Sequence, residues 1–108
     1  MTLLQKRDAA RRQRRLDVLE ETRRRLRLAL RELVPGERVI VFGSLTKPGI
    51  FNDCSDVDLA LETEPSGMSL EKLVSELMER LERRVDVLIL GRCRFRDKIL
   101  REGEPWTA

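Results

Sequence analysis

The chain has 108 residues, 41% hydrophobic and 38% charged, with a formal net charge of +3 and a pI near 9.3; this suffices for one small domain with one core and permits an anionic ligand without demanding nucleic acid. There is no histidine, and Cys54 and Cys93 alone make a poor zinc site, so two reduced thiols in a cytoplasmic protein are expected. No apolar run approaches the ~18 residues of a membrane span, and "MTLLQKRDAARRQRR" has no apolar signal core.

Residues 2–33 read as one arginine-rich helix. Leu16, Leu19, Leu26, Leu30 and Leu33 recur at helical steps and give one apolar stripe, which Pro35-Gly36 ends. The first fifteen residues hold little apolar material and are expected to project or fray. "RVIVF", 38–42, is a strand buried on both faces. "SDVDLALE", 55–62, is a second strand in which Val57, Leu59 and Leu61 alternate with Asp56, Asp58 and Ala60. "EPSGMS" is a loop, and Ser69 can cap a helix from 70 to about 83 with Leu70, Leu73, Val74, Leu77 and Leu81 on one face. "RVDVLIL", 84–90, is a third strand. "RFRDKILREGEPW" gives a short C-terminal helix ending near Gly103. The expectation is a single α/β or α+β domain over 1–108, a small mixed sheet with helices packed against it.

The aspartates are the anomaly. Burying an unpaired carboxylate costs several kcal/mol, yet Asp56 and Asp58 sit at i and i+2, on one face of an apolar strand. Asp86 is similarly flanked in the third strand. If the two strands are neighbours, three carboxylates meet on one patch, a hard-oxygen set suited to Mg²⁺ with substrate phosphates. Gly43-Ser44 ends the first strand. A glycine lets backbone approach phosphate closely, successive amides can form an anion nest, and the serine hydroxyl adds a donor. A phosphate cradle beside a metal patch is the equipment of phosphoryl or nucleotidyl transfer.

"FGS…SDVDLAL" with a later apolar-flanked Asp resembles the nucleotidyltransferases of the DNA polymerase beta superfamily. Size and the ending "RDKILREGEPW" are similar to the minimal nucleotidyltransferases (MNT) that accompany HEPN-domain proteins in toxin–antitoxin pairs. The resemblance spans residues 38–106 and implies a palm-like core. It implies that Gly43 and Ser44 contact the triphosphate, that Asp56 and Asp58 bind Mg²⁺, and that Asp86 is the third carboxylate. It also implies transfer of AMP from ATP to a tyrosine of the HEPN partner. Relatives carry Gly-Ser-Arg-x-Arg-Gly; here Leu45 replaces the first Arg, and Lys47 is the candidate phosphate-facing cation in place of the second.

Competing readings are weaker. "DCSDVD" lacks the glycine of a calcium loop, since Asp58 holds that position, and "GSLTKPG" is no Walker loop. Asn52 and Asp53 read as loop residues, and Trp106 as packing rather than base stacking. From Lys6 to Arg31 there are eleven basic and four acidic residues. Such a helix suits an acidic protein face; without interleaved aromatics, nucleic acid is the lesser reading. So small a core would draw specificity from a partner or a second copy. Three functions follow: an AMP-transferring antitoxin, a binding-only antitoxin, or a nucleic-acid-binding module using the arginine helix.

Overall fold

β-branched, apolar "RVIVF" forms strand β1 (Arg38–Phe42) at the middle of the sheet. The structure, a computed structural model, describes residues 1–108. β2 (Val57–Leu61) pairs with β1 antiparallel, β3 (Val85–Ile89) pairs with β2 parallel, and β4 (Glu104–Thr107) pairs with β1 antiparallel. The order is β3-β2-β1-β4. With helices α1 (Leu3–Leu33), α2 (Leu70–Leu81) and α3 (Arg96–Glu102), this is the expected α+β architecture.

Side-chain alternation divides the sheet into two unlike faces. Val39, Val41, Val57, Leu59, Leu61, Val85 and Ile89 join Leu26 and Leu30 of α1 and Leu73, Leu77 and Leu81 of α2 in the main core. The opposite face carries only a small cluster, Ile40, Ala60, Leu90 and Ile99, which α3 covers. β1 is thus buried on both faces, as its composition predicts.

α1 is longer than its packing requires. Its buried residues begin at Val18 and include Leu19, Thr22, Leu26, Ala29 and Leu30. Leu16, expected in the stripe, is 37% exposed, because the domain body ends one turn further on. The free end is stopped by a capping box in which the Thr2 hydroxyl accepts from the Gln5 N–H and the Gln5 side chain accepts from the Thr2 N–H. The projection draws the molecule out to 54 × 28 × 19 Å. Its radius of gyration is 15.3 Å, against about 13 Å for a compact chain of this length.

α3 stops at Glu102, with Gly103 as its cap, where the sequence places its end; beyond it "EPWT", for which no element is expected, is an edge strand. Gly103 makes the change of course possible: a Cβ there would strike the Ile40 side chain and the Ile99 carbonyl. Pro105, which has no N–H to donate, is tolerated at the edge. Trp106 lies on the α1 side, with the guanidinium groups of Arg27 and Arg23 at 4.1 and 5.1 Å from its ring. It packs the tail and is remote from the carboxylate face. α2 ends at Leu81, slightly before the expected position, because Glu82 turns left-handed (φ 53°) and redirects the chain into β3.

Residues 1–15 make one ion pair with the domain, the exposed Arg14–Asp53 pair at 3.0 Å, worth at most about 1 kcal/mol. Deleting them should lower the melting temperature by less than about 5 °C. A calorimetric scan that loses its cooperative transition would show that the projecting half supports the fold.

Candidate active site

The second face of the sheet is where the aspartates lie. Phe42 of β1, Asp58 of β2 and Asp86 of β3 stand in register across three adjacent strands. Asp58 and Asp86 are therefore direct cross-strand neighbours of like charge, a pairing that destabilises a sheet. Asp56 lies one residue before β2. Burial raises the Asp58 carboxyl above its ordinary range, and the nearby charges of Asp86 and then Asp56 raise it further. Arg84 offsets part of this charge, with its Nε 3.7 Å from Asp86 Oδ1. As they lie, no three of the chain's carboxylate and thiol side chains are gathered tightly enough to hold a metal ion.

Gly43 follows Phe42 directly and has φ +75°. A Cβ here would penetrate the Asp58 carboxylate, with Oδ2 and Cγ its nearest neighbours. Glycine is thus required twice, for its backbone angle and for the aspartate behind it. Gly43–Thr46 form a 3₁₀ turn whose amino end has no side-chain cap. The Thr46 hydroxyl donates to the Gly43 carbonyl at 2.8 Å, and the Lys47 N–H donates to the Ser44 carbonyl at 3.0 Å. Ser44 is half-buried in this turn and Lys47 is exposed. Leu45 is fully buried in the main core, with its carbonyl accepting from Arg23 at 3.3 Å. Leu45 is thus an anchor for the turn.

The loop into Asp56 is pinned from the turn between α2 and β3. Arg83 donates to the carbonyls of Asn52 and Ser55 at 3.1 and 2.7 Å and lies 4.7 Å over the Phe51 ring. Asn52 and Asp53 serve the loop: Asn52 accepts from the Cys54 N–H, and Asp53 pairs with Arg14. Beside the glycine turn opens a cleft of about 520 Å³, with Gly43, Thr46 and Lys47 on one wall and Leu88, Phe95 and Lys98 on the other. The sequence reading missed Thr46, Phe95 and Lys98, which only the tertiary fold brings together. Arg84 was discoverable, because it precedes Asp86 by two residues and so shares its strand face.

A family model described as "Nucleotidyltransferase domain" matches residues 23–105. The chain belongs to this family. The nucleotidyltransferase match begins inside α1 and leaves the projecting half outside. Two solved structures share the fold. One is a toxin–antitoxin crystallised with AMP-PNP, with a TM-score of 0.59 and 21% identity, covering 79% of this chain and 73% of that one. The other is the toxin–antitoxin MntA-HepT, with a TM-score of 0.56 and 18% identity, covering 82% and 73%. No curated protein sequence matches the chain. At these identities the likeness is one of fold, and the small mixed sheet with helices packed against it is the architecture expected.

Two outcomes follow for this nucleotidyltransferase. Gly43→Ala should destabilise the protein by about 1–3 kcal/mol, since it combines a positive φ with a clash; a chemical melt matching wild type would contradict the contact with Asp58. Asp58→Asn should have the opposite effect in EDTA near pH 7, a gain of up to about 1 kcal/mol from one relieved like-charge contact. The sign follows from the raised carboxyl: the folded protein holds the extra proton, so the contribution of Asp58 is fully present below about pH 4 and is lost as pH rises through the folded value. Wild type and variant should therefore converge toward pH 4 and separate toward pH 7. Glu21, held at about 2 by hydrogen bonds from Arg24 and Arg25, is common to both proteins and loses its contribution as pH falls. Thermal melts across this range decide the matter; a variant that melts lower throughout makes the Asp58 carboxylate a structural asset.

Proposed function

We propose that the chain is a Mg²⁺-dependent nucleotidyltransferase that moves AMP from ATP to a hydroxyl, a tyrosine in the first instance, of a HEPN-type partner, acting as its antitoxin. The observation that carries this reading is the closeness of Gly43 to Asp58: the backbone suited to phosphate and the carboxylate suited to a cation lie in contact. The family match and the two similar toxin–antitoxin structures support it.

Each residue has a part in that reading. Gly43 and Ser44 cradle the triphosphate through backbone N–H groups and the serine hydroxyl. Lys47, at the cleft wall, adds a positive charge. Asp56, Asp58 and Asp86 would hold Mg²⁺; burial first and the neighbouring charges of Asp86 and Asp56 second raise the Asp58 carboxyl, and a divalent cation offsets both. When bound, the ion supplies charge neutralisation of the triphosphate. Asp86 accepts the proton of the acceptor hydroxyl. The freed oxygen lone pair forms the bond to the α-phosphorus, the bond to the bridging oxygen breaks, and pyrophosphate departs with that electron pair. Arg84 partly balances the charge of Asp86 before substrate arrives.

ATP should bind far more tightly with Mg²⁺ than without it, and Asp58→Asn should remove most of the difference. With ATP labelled at the α-phosphate, label should pass to the HEPN-type partner, and Asp56→Asn or Asp86→Asn should slow transfer by at least about 100-fold. Calorimetry giving one ATP affinity in both conditions would refute the metal-dependent reading. Tight Mg²⁺-dependent binding without transfer would assign a binding-only antitoxin.

A further inference from the structure

β3 closes one side of the sheet, and its outer edge pairs with no strand. Natural proteins usually blunt such an edge with charge, proline or a covering element. β3 reads Val-Asp-Val-Leu-Ile, and its one charge, Asp86, belongs to the carboxylate patch. Along the edge runs an apolar groove of about 500 Å³. Its walls come from both faces of the sheet. Leu70 and Val87 belong with the main core, while Leu88 and Phe95 also line the cleft beside Gly43. Leu88 is 39% exposed and Phe95 is 62% exposed.

A groove built from both faces of an edge strand selects its occupant. A helix laid on the sheet would meet one face. An added strand places alternate side chains on both faces and completes the backbone ladder. We infer that the β3 edge docks an extended segment of the partner protein and presents that segment's hydroxyl side chain to Asp86. This rests on the transferase reading for the step that follows docking. On an added strand, a side chain directed to the carboxylate face becomes a cross-strand neighbour of Asp86, at about 5 Å between Cβ atoms. Leu88 and Phe95 line both the groove and the cleft, so a segment docked on the edge lies next to the wall of the nucleotide cleft.

Charge narrows the choice further. Arg92 and Arg94 rim the groove; Arg92 pairs with Glu64 at 3.1 Å, and Arg94 is exposed and makes no ion pair. The segment therefore carries apolar residues near its hydroxyl and an acidic flank. A second copy of this chain fits poorly. Two β3 edges would bring Arg84, Arg92 and Arg94 of both copies to one seam, on chains that each carry a net charge of +3.

The test uses the HEPN-type partner and synthetic peptides tiled along it. One tile, bearing a hydroxyl residue and an acidic flank, should bind in fluorescence anisotropy. Arg94→Glu and Val87→Lys lie outside the nucleotide cleft and should each weaken that tile by at least about tenfold. Mg·ATP affinity should stay within about twofold. Amide exchange at residues 85–89 should slow when the whole partner binds. Arg94 is on the surface, so its variant carries the test if Val87→Lys fails to fold. Label transfer that is indifferent to both variants, or exchange protection confined to α1, overturns the docking site and leaves the transferase reading standing. Protection of β3 with no label transfer does the reverse. Absence of any binding tile together with unprotected β3 amides also overturns it, as does the same protection arising from self-association alone.

Discussion

Gly43 and Asp58 occupy space that neither would leave to a larger neighbour. The glycine has no Cβ, and the carboxylate of the adjacent strand fills that volume. This one contact fixes where the 3₁₀ turn begins, how closely its amides stand to the acidic patch, and how far Asp58 is drawn out of water. The raised Asp58 carboxyl follows, as does the location of the cleft, since Gly43 forms its wall. Any side chain at 43 would have to displace either the turn or the aspartate.

The sheet can carry such a patch because its other face does the work of folding. The main core lies between the sheet and helices α1 and α2, and on the carboxylate face only Ile40 and Ala60 of the strands join a small buried cluster with Leu90 and with Ile99 of α3. In-register Asp58 and Asp86 work against stability there. The opposition is local, with Arg84 offsetting part of it and Arg83 and Arg23 holding the loop and turn that frame the patch. All three arginines come from chain segments remote from the glycine turn, which makes the site a product of tertiary packing.

Much of this was legible in the sequence. Three strands and the two longer helices follow from periodicity, because "RVIVF" and the leucines of α2 leave little alternative. The neighbouring of β2 and β3 was a conditional inference from their aspartates, and the register pairing Asp58 with Asp86 satisfies it. β4 was not legible: four residues with a proline carry no alternation, and the strand exists because β1 offers an edge and Trp106 finds Arg27. Leu16 was misplaced because a helical stripe indicates which face is apolar but not where the body beneath it stops. The inward direction of Leu45 was equally hidden, since a motif aligned by spacing says nothing of which way a 3₁₀ turn points its third side chain.

The unsupported half of α1 has a thermal consequence. Starting a helix is the unfavourable step, and an isolated segment of some fifteen residues is marginal in water. Here the docked half, from Val18 onward, provides the nucleus, so residues 3–17 only extend it. Extension near unit propagation constant is reversible turn by turn. Helix content at the amino end will therefore fade gradually on warming while the sheet remains intact. In circular dichroism this is a sloping native baseline, belonging to one end of a single rod and separate from the cooperative melting of the domain.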